Sequence, residues 1–346
     1  MAWSNCTDFH SPGRKGRPNL TGYEFSPLQP MHSACLALLL SQVLPALFFS
    51  CSPGSGRDVR TPVELHSRAE TGEESTLDLF FFEAEQPCFL DAYERVQGAI
   101  PARWEACSRS GRKRLVAVAH AGCDRYAWSD IRSLANLDAR ETSLETEDPS
   151  SPIMTASATV NAGAPATLTL SPLLSEIRLH SLCCDFHDRA YVGARLENVR
   201  VYLVNVRDRC RLDGESVPSW LNAARLDPER TAALRCPETV LQALPEPVGD
   251  ETVFPDIRLY AYPNPAAEDG IGSPFTRLVI EGTLLGITCY YPISITPMEG
   301  GKSHVFDVTL TRAGTSDPDI PATREMVRLV GAIAPWNDMD PQIQTY

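Results

Sequence analysis

The sequence predicts an all-β fold made of antiparallel β-sandwiches. The main evidence is a series of short segments that alternate apolar with polar residues, or are rich in β-branched and aromatic residues. These segments are 77–84, 115–120, 167–170, 176–182, 199–206, 257–262, 276–282, 288–296, 303–311 and 326–334. Candidate helices are few, namely 128–137 and either 218–226 or 228–234. Many strands with few helices favour antiparallel sheets over alternating βαβ units.

Each predicted strand has its own supporting pattern. The first, LDLFFFEA at 77–84, is strongly apolar, and LVAVAH at 115–120 follows a basic turn. In 176–182, Ile177 and Leu179 alternate with Arg178 and His180, as expected when one face of a strand is buried. The later segments combine β-branched and aromatic residues in the same way: VRVYLVNV, IRLYAY, TRLVIEG, TCYYPISIT, SHVFDVTLT and MVRLVGAIA.

Length and composition exclude several classes of protein. The chain has 346 residues, of which 43% are hydrophobic and 22% charged, which is typical of about two globular domains. Its net charge of −13 argues against a nucleic-acid binder, because that affinity depends on Lys and Arg neutralising phosphates. No apolar run reaches the roughly 18 residues of a membrane-spanning helix.

The motifs that carry enzyme chemistry are missing from the sequence. The 11 cysteines include no Cys-x-x-Cys pair, so we expect no zinc ribbon or redox site. Gly300-Gly301-Lys302-Ser303 lacks the first glycine of a phosphate-binding loop and leads into a predicted strand. His120 and His180 lie on predicted strands without a partner nucleophile and acid. The sequence therefore predicts no catalytic site, no metal and no cofactor.

The N-terminal segment predicts export with a lipid anchor. Residues 36–49 form an apolar run of the length of a signal-peptide core. Ser50 and Cys51 follow it, and a Pro/Gly/Ser linker comes next, which resembles a bacterial lipobox with Cys51 as the lipidated first residue of the mature chain. A basic region directly before the apolar run is missing, so either Met1 or Met31 is a possible start.

Composition also suggests boundaries along the chain. Residues 1–50 are assigned to the leader, and 51–68 to a lipidated linker with a first strand. A boundary near Ser171-Pro172 divides the body into an N-terminal β-sandwich, 69–171, and a C-terminal β-sandwich, 172–346. The polar, acidic stretch 138–152 is predicted to be a loop.

The order of these features resembles the fimbrillin (type V pilin) family, the lipoprotein-sorted fimbrial subunits of Gram-negative anaerobes. The similarity runs from about Val59 to Trp336. It is carried by the lipobox, a short alternating strand, an Arg, a polar loop and a first core strand, and by these later pieces: 114–121, Ile153-Met154-Thr155-Ala156, Cys289-Tyr290-Tyr291-Pro292-Ile293, and TRAGTSDPDIP at 311–321 before a last strand closed by Trp336.

The resemblance implies two transthyretin-like β-sandwich domains in tandem and a structural role in a cell-surface fimbria. In that family a lipidated precursor reaches the outer membrane, and an Arg-specific protease removes its first strand. A strand from a neighbouring subunit then fills the groove. Carried over, the removable strand is 59–65 and the cut lies between Arg68 and Ala69. The implied partners are other fimbrial subunits, the protease and, through the lipid on Cys51, the outer membrane.

The residues of 59–65 fit such a strand on physical grounds. Val59, Thr61, Val63 and Leu65 lie on one face, so three of the four inward positions are aliphatic. Burying three aliphatic side chains stabilises a fold by roughly 5–9 kcal/mol. Pro62 has no N–H to donate, which predicts an edge position. Arg57 and Arg60 are further possible cut sites.

Two other roles remain open at this point. An anchor subunit would keep its lipid and its first strand and would end the fibre at the cell surface, whereas a shaft, tip or accessory subunit would lose both. A monomeric glycan-binding surface lipoprotein would present an exposed aromatic platform, for which Trp104, Trp128 and Trp220 are candidates. The strand donated to a neighbour is expected in the C-terminal region, in 326–334 or in the tail to Tyr346.

Overall fold

The computed structural model describes residues 57–67, 75–122, 128–186 and 190–336, together with the backbone of 342–345. Over these residues the chain is all-β, which confirms the predicted fold class. The strands up to residue 172 are β1 (Asp58–Ser67), β2 (Thr76–Glu83), β3 (Leu90–Gln97), β4 (Arg103–Arg109), β5 (Arg112–Ala119), β6 (Glu141–Ser143), β7 (Met154–Asn161) and β8 (Ala166–Pro172).

The later strands begin three residues after β8. They are β9 (Ser175–Cys184), β10 (Leu196–Val204), β11 (Val206–Arg207), β12 (Arg209–Arg211), β13 (Trp220–Leu221), β14 (Leu241–Ala243), β15 (Ile257–Ala261), β16 (Thr276–Leu284), β17 (Ile287–Ile295), β18 (Lys302–Leu310), β19 (Val327–Pro335) and β20 (Gln342–Thr345). All ten segments predicted as strands overlap one of these elements, whereas β3, β4, β6, β7 and the short strands β12, β13 and β14 were not predicted.

The first sheet has seven strands in the order β3-β2-β5-β7-β8-β1-β4. Strands β7 and β8 pair only through Met154 with Pro172 and Thr155 with Ser171. The strands on either side of this short junction bury alternate residues in one shared cluster, which we call the first core. The first core contains Val63, Leu65, Leu77, Leu79, Phe81, Ala106, Leu115, Ala117, Ala119, Met154, Ala166, Leu168 and Leu170.

The two outermost strands of this sheet also meet. The Glu94 carboxylate on β3 accepts hydrogen bonds from Trp104 Nε1 (2.8 Å) and from the Cys107 N–H (2.7 Å) on β4. Nearby, the Arg109 N–H donates to Asp91 Oδ2 over 2.9 Å. These contacts join the two ends of the strand order around the first core.

Strand β2 is buried on both faces. Leu79 and Phe81 point into the first core, while Phe80 and Phe82 join a larger cluster that extends through the later strands, which we call the second core. Successive side chains of a strand alternate between the two faces of its sheet. The strongly apolar sequence of this strand therefore serves two cores.

The second core also takes residues from two further sheets. One has the order β14-β10-β16-β17, and the other has the order β15-β9-β18-β19-β20. Each central strand contributes alternate apolar residues: Ile177 and Leu179 from β9, Val201 and Leu203 from β10, Leu278 and Ile280 from β16, and Phe306 and Val308 from β18.

The stretch 138–152, predicted to be a loop, instead makes a structured connection. It contains β6, which pairs with β12. Glu147 is 1% exposed. Its carboxylate accepts hydrogen bonds from the hydroxyls of Thr142 and Tyr262 and from the Ile153 N–H, each over 2.8 Å. A buried carboxylate needs such donors, and composition alone does not reveal them.

The helices are shorter than the candidate segments. They are α1 (Leu134–Asp138), α2 (Pro228–Ala232) and two 3-10 turns, Trp128–Asp130 and Pro237–Thr239. Segment 128–137 is divided because Ser133 caps α1 by accepting a hydrogen bond from the Asn136 N–H. Segment 218–226 contains strand β13 instead of a helix, and α2 lies in the alternative segment, where Asp227 is its N-cap.

In the described part of the chain, no helix has the length and apolar character needed to cross a membrane.

Candidate functional site

Strand β1 lies inside the first sheet, between β8 and β4. It pairs in parallel with β8, where Val63 faces Ala166 and Leu65 faces Leu168. It pairs antiparallel with β4 along Asp58–Glu64. We call the channel between β8 and β4 that this strand occupies the β1 cleft. The predicted removable strand 59–65 therefore fills a position within the sheet.

The inward face of β1 is buried and its outward face is exposed. Thr61, Val63 and Leu65 have 0%, 1% and 6% of their surface exposed, and Val59 is half-buried. The two fully buried aliphatic side chains, Val63 and Leu65, stabilise the fold by roughly 3–6 kcal/mol. The total stability of a domain is about 5–15 kcal/mol, so β1 supplies a large share of it.

Thr61 is the one polar residue among the buried side chains of this face, and a hydrogen bond compensates for its burial. Its hydroxyl accepts a hydrogen bond from the Gly163 N–H over 2.9 Å, in the turn between β7 and β8. Gly163 has φ +89°, which favours glycine, and a Cβ there would lie 3.7 Å from Val59 Cβ. The buried hydroxyl is satisfied, and β1 is tied to the turn beside it.

The outward face of β1 carries charges that match those of β4. Arg60 lies 3.5 Å from Glu105, and Glu64 lies 3.5 Å from Arg103. Exposed ion pairs of this kind contribute about 0–1 kcal/mol each. Their main effect is to favour one register between the two strands, while the apolar face supplies the binding energy.

The edge position expected from Pro62 is wrong. Strand β1 has a partner strand on both sides, but its pairing with β8 begins only at Val63. Pro62 therefore lies in the half of β1 where β4 is the only paired strand among the described residues. Proline has no N–H to donate, but in this half of β1 no second described strand needs that donor.

Comparisons with known proteins bear on this arrangement. No protein-family model and no curated protein matches the sequence. A solved structure of a cell adhesion candidate from Bacteroides eggerthii aligns with a TM-score of 0.60 at 16% identity, over 83% of this chain and 98% of that chain. A fimbrilin from Porphyromonas gingivalis W83 aligns with a TM-score of 0.56 at 14% identity, over 80% and 97% of the two chains.

A second cell adhesion candidate, from Parabacteroides distasonis, gives a TM-score of 0.60 at 12% identity over 82% of this chain and 99% of that chain. The chain has a fimbrillin-like fold. At this level of identity the likeness concerns the fold, and it confirms the structural resemblance that the ordered motifs predicted.

In this fimbrillin-like fold, β20 is the last of the described strands and lies at the edge of its sheet as far as the structure describes it. Strand β20 pairs with β19 through four residues, from Gln342 opposite Ile333 to Thr345 opposite Val330. In contrast, β19 pairs with β18 along all nine of its residues. The terminal strand is therefore held by far fewer backbone hydrogen bonds than β19.

Three of the predicted site residues cannot be placed. Cys51, Arg68 and Ala69 lie outside the described residues. Strand β1 ends at Ser67, directly before Arg68, and β2 begins at Thr76.

The cleft walls include residues that the sequence reasoning missed. Trp104 and Ala106 of β4 face Val63 and Thr61 of β1, and Ala106 is fully buried. The signal was present in RWEACSR, where Trp104, Ala106 and Ser108 alternate with more exposed residues. Its high proportion of charged residues hid the strand.

The other candidate residues have structural roles where they are described. His120 lies 2.7 Å from the Pro152 carbonyl oxygen and 3.2 Å from the Ser75 hydroxyl. His180 lies 2.8 Å from Asp307 across β9 and β18. Lys302 and Ser303 begin β18, so the glycine motif leads into a strand as predicted. Among the described residues, no group of His, Cys, Asp or Glu is placed to hold a metal ion.

The three tryptophans considered for glycan binding are separate and engaged. Trp104 donates to Glu94, and Trp128 packs edge-on against Phe80 at 5.4 Å between ring centroids. The Arg207 guanidinium covers the ring of Trp220 at 3.6 Å. These three rings do not form one exposed platform.

Proposed function

We propose that this protein is a structural subunit of a cell-surface fimbria that polymerises by strand exchange and supports cell adhesion. The observation that carries the proposal is the β1 cleft, in which the first described strand, with its buried face, separates β8 from β4. The fimbrilin and cell adhesion neighbours support the same role. Apart from β6, which pairs with β12, the strands within 69–171 belong to the first sheet and those within 172–346 to later sheets, which supports two transthyretin-like domains with these bounds.

Removing β1 would leave an apolar channel and two strands without their partner. The first core, which contains Leu79, Phe81 and Leu168, would lose Val63 and Leu65. Unpaired backbone groups of β4 and β8 would be a template for an incoming strand. The burial lost on removal would then be recovered by taking a strand from a neighbouring subunit.

The incoming strand is proposed to be β20 of the neighbour. Releasing β20 breaks the pairing of four residues, whereas releasing β19 would break the pairing of nine and open the sheet that covers the second core. Donating β20 therefore breaks less backbone pairing than donating β19.

Export as a lipoprotein completes the proposal. Cys51 would carry the lipid that holds the precursor at the outer membrane, and an Arg-specific protease would cut between Arg68 and Ala69. The net charge of −13 favours an acyl anchor over electrostatic adsorption to anionic headgroups. No catalytic step is assigned to this chain.

The test is to treat the full lipidated chain with an Arg-specific protease and to compare it with Arg68→Ala. We expect the wild-type chain to lose its N-terminal strand, to start at Ala69 and to form polymers, while the variant stays a lipidated monomer. Polymers of normal length from Arg68→Ala would show that the cut lies elsewhere. The matched control is Arg57→Ala, which removes an arginine on the N-terminal side of β1.

N-terminal sequencing of the native protein separates the roles within a fimbria. A chain that begins at Cys51 would be a lipid-retaining anchor, and one that begins near Ala69 would be a shaft, tip or accessory subunit. Glycan binding by a trimmed chain that never polymerises would support the monomeric alternative and contradict the proposal.

A further inference from the structure

A lysine is buried in the first sheet against two carboxylates. Lys113 on β5 has a side chain that is 1% exposed, and its Nζ lies 2.7 Å from Glu83 Oε1 and 3.0 Å from Asp91 Oδ2. The Asp91 side chain is also 1% exposed, while that of Glu83 is 47% exposed. Lysine is rarely fully buried, and when desolvated it becomes a nucleophile more readily.

The sheet brings these three residues together through a bulge. Glu83 and Lys113 are direct partners across β2 and β5. On the other side of β2, Phe81 pairs with Ala92 but Phe82 pairs with Leu90, so Asp91 is the extra residue of β3. A bulge redirects a side chain. Here it allows Asp91 to reach the lysine of a strand that is not its neighbour.

The Asp91 carboxyl group is polarised from a third strand. The Arg109 N–H on β4 donates to Asp91 Oδ2 over 2.9 Å, and Arg109 Nε lies 3.6 Å from Oδ1. A cation and an N–H aimed at the two oxygens stabilise negative charge that develops when a nucleophile attacks the carboxyl carbon.

We propose that Lys113 and Asp91 condense to an intramolecular isopeptide bond, with Glu83 as the group that transfers protons. The pair is held in contact inside the sheet, which replaces a bimolecular encounter by a positioned one. This proposal concerns the chemistry of the folded chain and does not depend on the fimbrial role.

The reaction balances without a co-reactant. Glu83 takes a proton from Nζ and delivers it to Asp91 Oδ2, which leaves a neutral amine beside a neutral acid. The Nζ lone pair attacks Cγ, forming the N–C bond, and the second Nζ proton passes through Glu83 to Oδ2. The Cγ–Oδ2 bond breaks, Oδ2 leaves as water, and Oδ1 becomes the amide oxygen facing Arg109. The partly exposed Glu83 gives the water a path to solvent.

A second carboxylate–cation pair, between β2 and β3, provides an internal comparison. Asp78 is fully buried and binds Arg95 Nε at 2.6 Å and Nη2 at 2.9 Å. A guanidinium stays protonated and delocalised, so it does not attack a carboxyl group. Cross-linking is therefore expected at Asp91 and not at Asp78.

The experiment is tryptic digestion and mass spectrometry of the folded, full-length protein. We expect a branched peptide joining Asp91 to Lys113 that is lighter by one water than the two linear peptides together, with no cleavage after Lys113. Only linear peptides from the folded chain would overturn the proposal.

The role of Glu83 is tested with Glu83→Gln, and Glu85→Gln is the matched control on the exposed turn after β2. We expect Glu83→Gln to fold, because this side chain is half-exposed, and to cross-link about 100-fold more slowly. Glu85→Gln should cross-link like the wild type. An undiminished rate in Glu83→Gln would contradict the assigned proton transfer.

Discussion

Single side chains decide how firmly β1 is held. Its ion pairs are exposed and contribute little, whereas Val63 and Leu65 are enclosed by the first core. Strand β1 therefore depends on two aliphatic residues and on the hydrogen bond from the Gly163 N–H to the Thr61 hydroxyl.

Leu65→Ala is expected to lower the free energy of unfolding of the uncleaved chain by about 2–5 kcal/mol, because it removes a buried side chain and leaves a cavity. Urea unfolding measures the change. The neighbouring Glu64→Ala, whose side chain points outward, should change it by less than about 0.5 kcal/mol. Similar effects for the two variants would show that the inward face is not what holds β1.

His304 is expected to make stability depend on pH. Burial, with a smaller effect of Lys302, lowers the pKa of His304 to about 4. An unfolded histidine has a pKa near 6.5, so between these values the unfolded state binds a proton that the folded state does not. The free energy of unfolding is then highest above pH 6.5 and falls as the pH drops towards 4, by up to about 3 kcal/mol.

The change that tests this is His304→Leu, which removes the titrating group from a side chain that is 2% exposed. Denaturant unfolding from pH 4 to 8 should show a smaller decrease in stability below pH 6.5 for the variant than for the wild type. An unchanged pH dependence would assign the acid sensitivity to other groups.

At the scale of elements, the connection between β18 and β19 protects a sheet edge. Thr315 exchanges backbone hydrogen bonds of 2.8 and 2.9 Å with Tyr290, and the Ala322 N–H donates to the Pro292 carbonyl oxygen over 2.9 Å. Both partners lie on β17, the last strand of its sheet. The Gly-Thr-Ser-Asp-Pro turn thus covers backbone groups that would otherwise pair with another chain.

Gly314→Ala is expected to loosen this cover. A Cβ at this position would lie 2.3 Å from the Tyr290 carbonyl oxygen, which is backbone and has to move. We expect a loss of about 1–3 kcal/mol in the free energy of unfolding, by the mechanism of overpacking, and faster hydrogen exchange in β17. The control is Gly270→Ala, where a Cβ meets nothing within 4 Å. Equal behaviour of the two variants would contradict the close approach.

The elements also show which parts of the fold and site the sequence predicts. The inward face of β1 is predicted by its alternating sequence, and β2 is predicted by its strongly apolar sequence. In both strands most of the buried residues are apolar and lie close together in the sequence itself. Strand β3 is charged because Asp91 and Glu94 bind groups on distant strands. The position of Pro62 inside a sheet and the burial of Glu147 likewise depend on partners far away in sequence. Such long-range pairing is not visible in a local pattern.

For the whole molecule, the proposed strand exchange would transfer burial of apolar side chains from within one chain to the contact between chains. In the uncleaved chain, β1 fills the β1 cleft. On the proposed function, cleavage would expose the apolar lining of the cleft, and a second copy would cover it with β20. Assembly would then depend on the trimmed cleft of one molecule and on the C-terminal residues of the next.

Deleting 337–346 separates these two requirements. We expect the truncated chain, trimmed at Arg68, to remain monomeric in size-exclusion chromatography, since it has an open cleft but no β20 to donate, whereas the trimmed full chain forms polymers. A synthetic peptide of residues 57–67 should bind the trimmed, truncated chain and raise its unfolding temperature, because it restores the side chains of β1. The same peptide with Val63 and Leu65 replaced by Ser is the control and should not bind. Polymers from the truncated chain would place the donor strand elsewhere, and an unchanged unfolding temperature with the native peptide would mean that the cleft closes once β1 is lost.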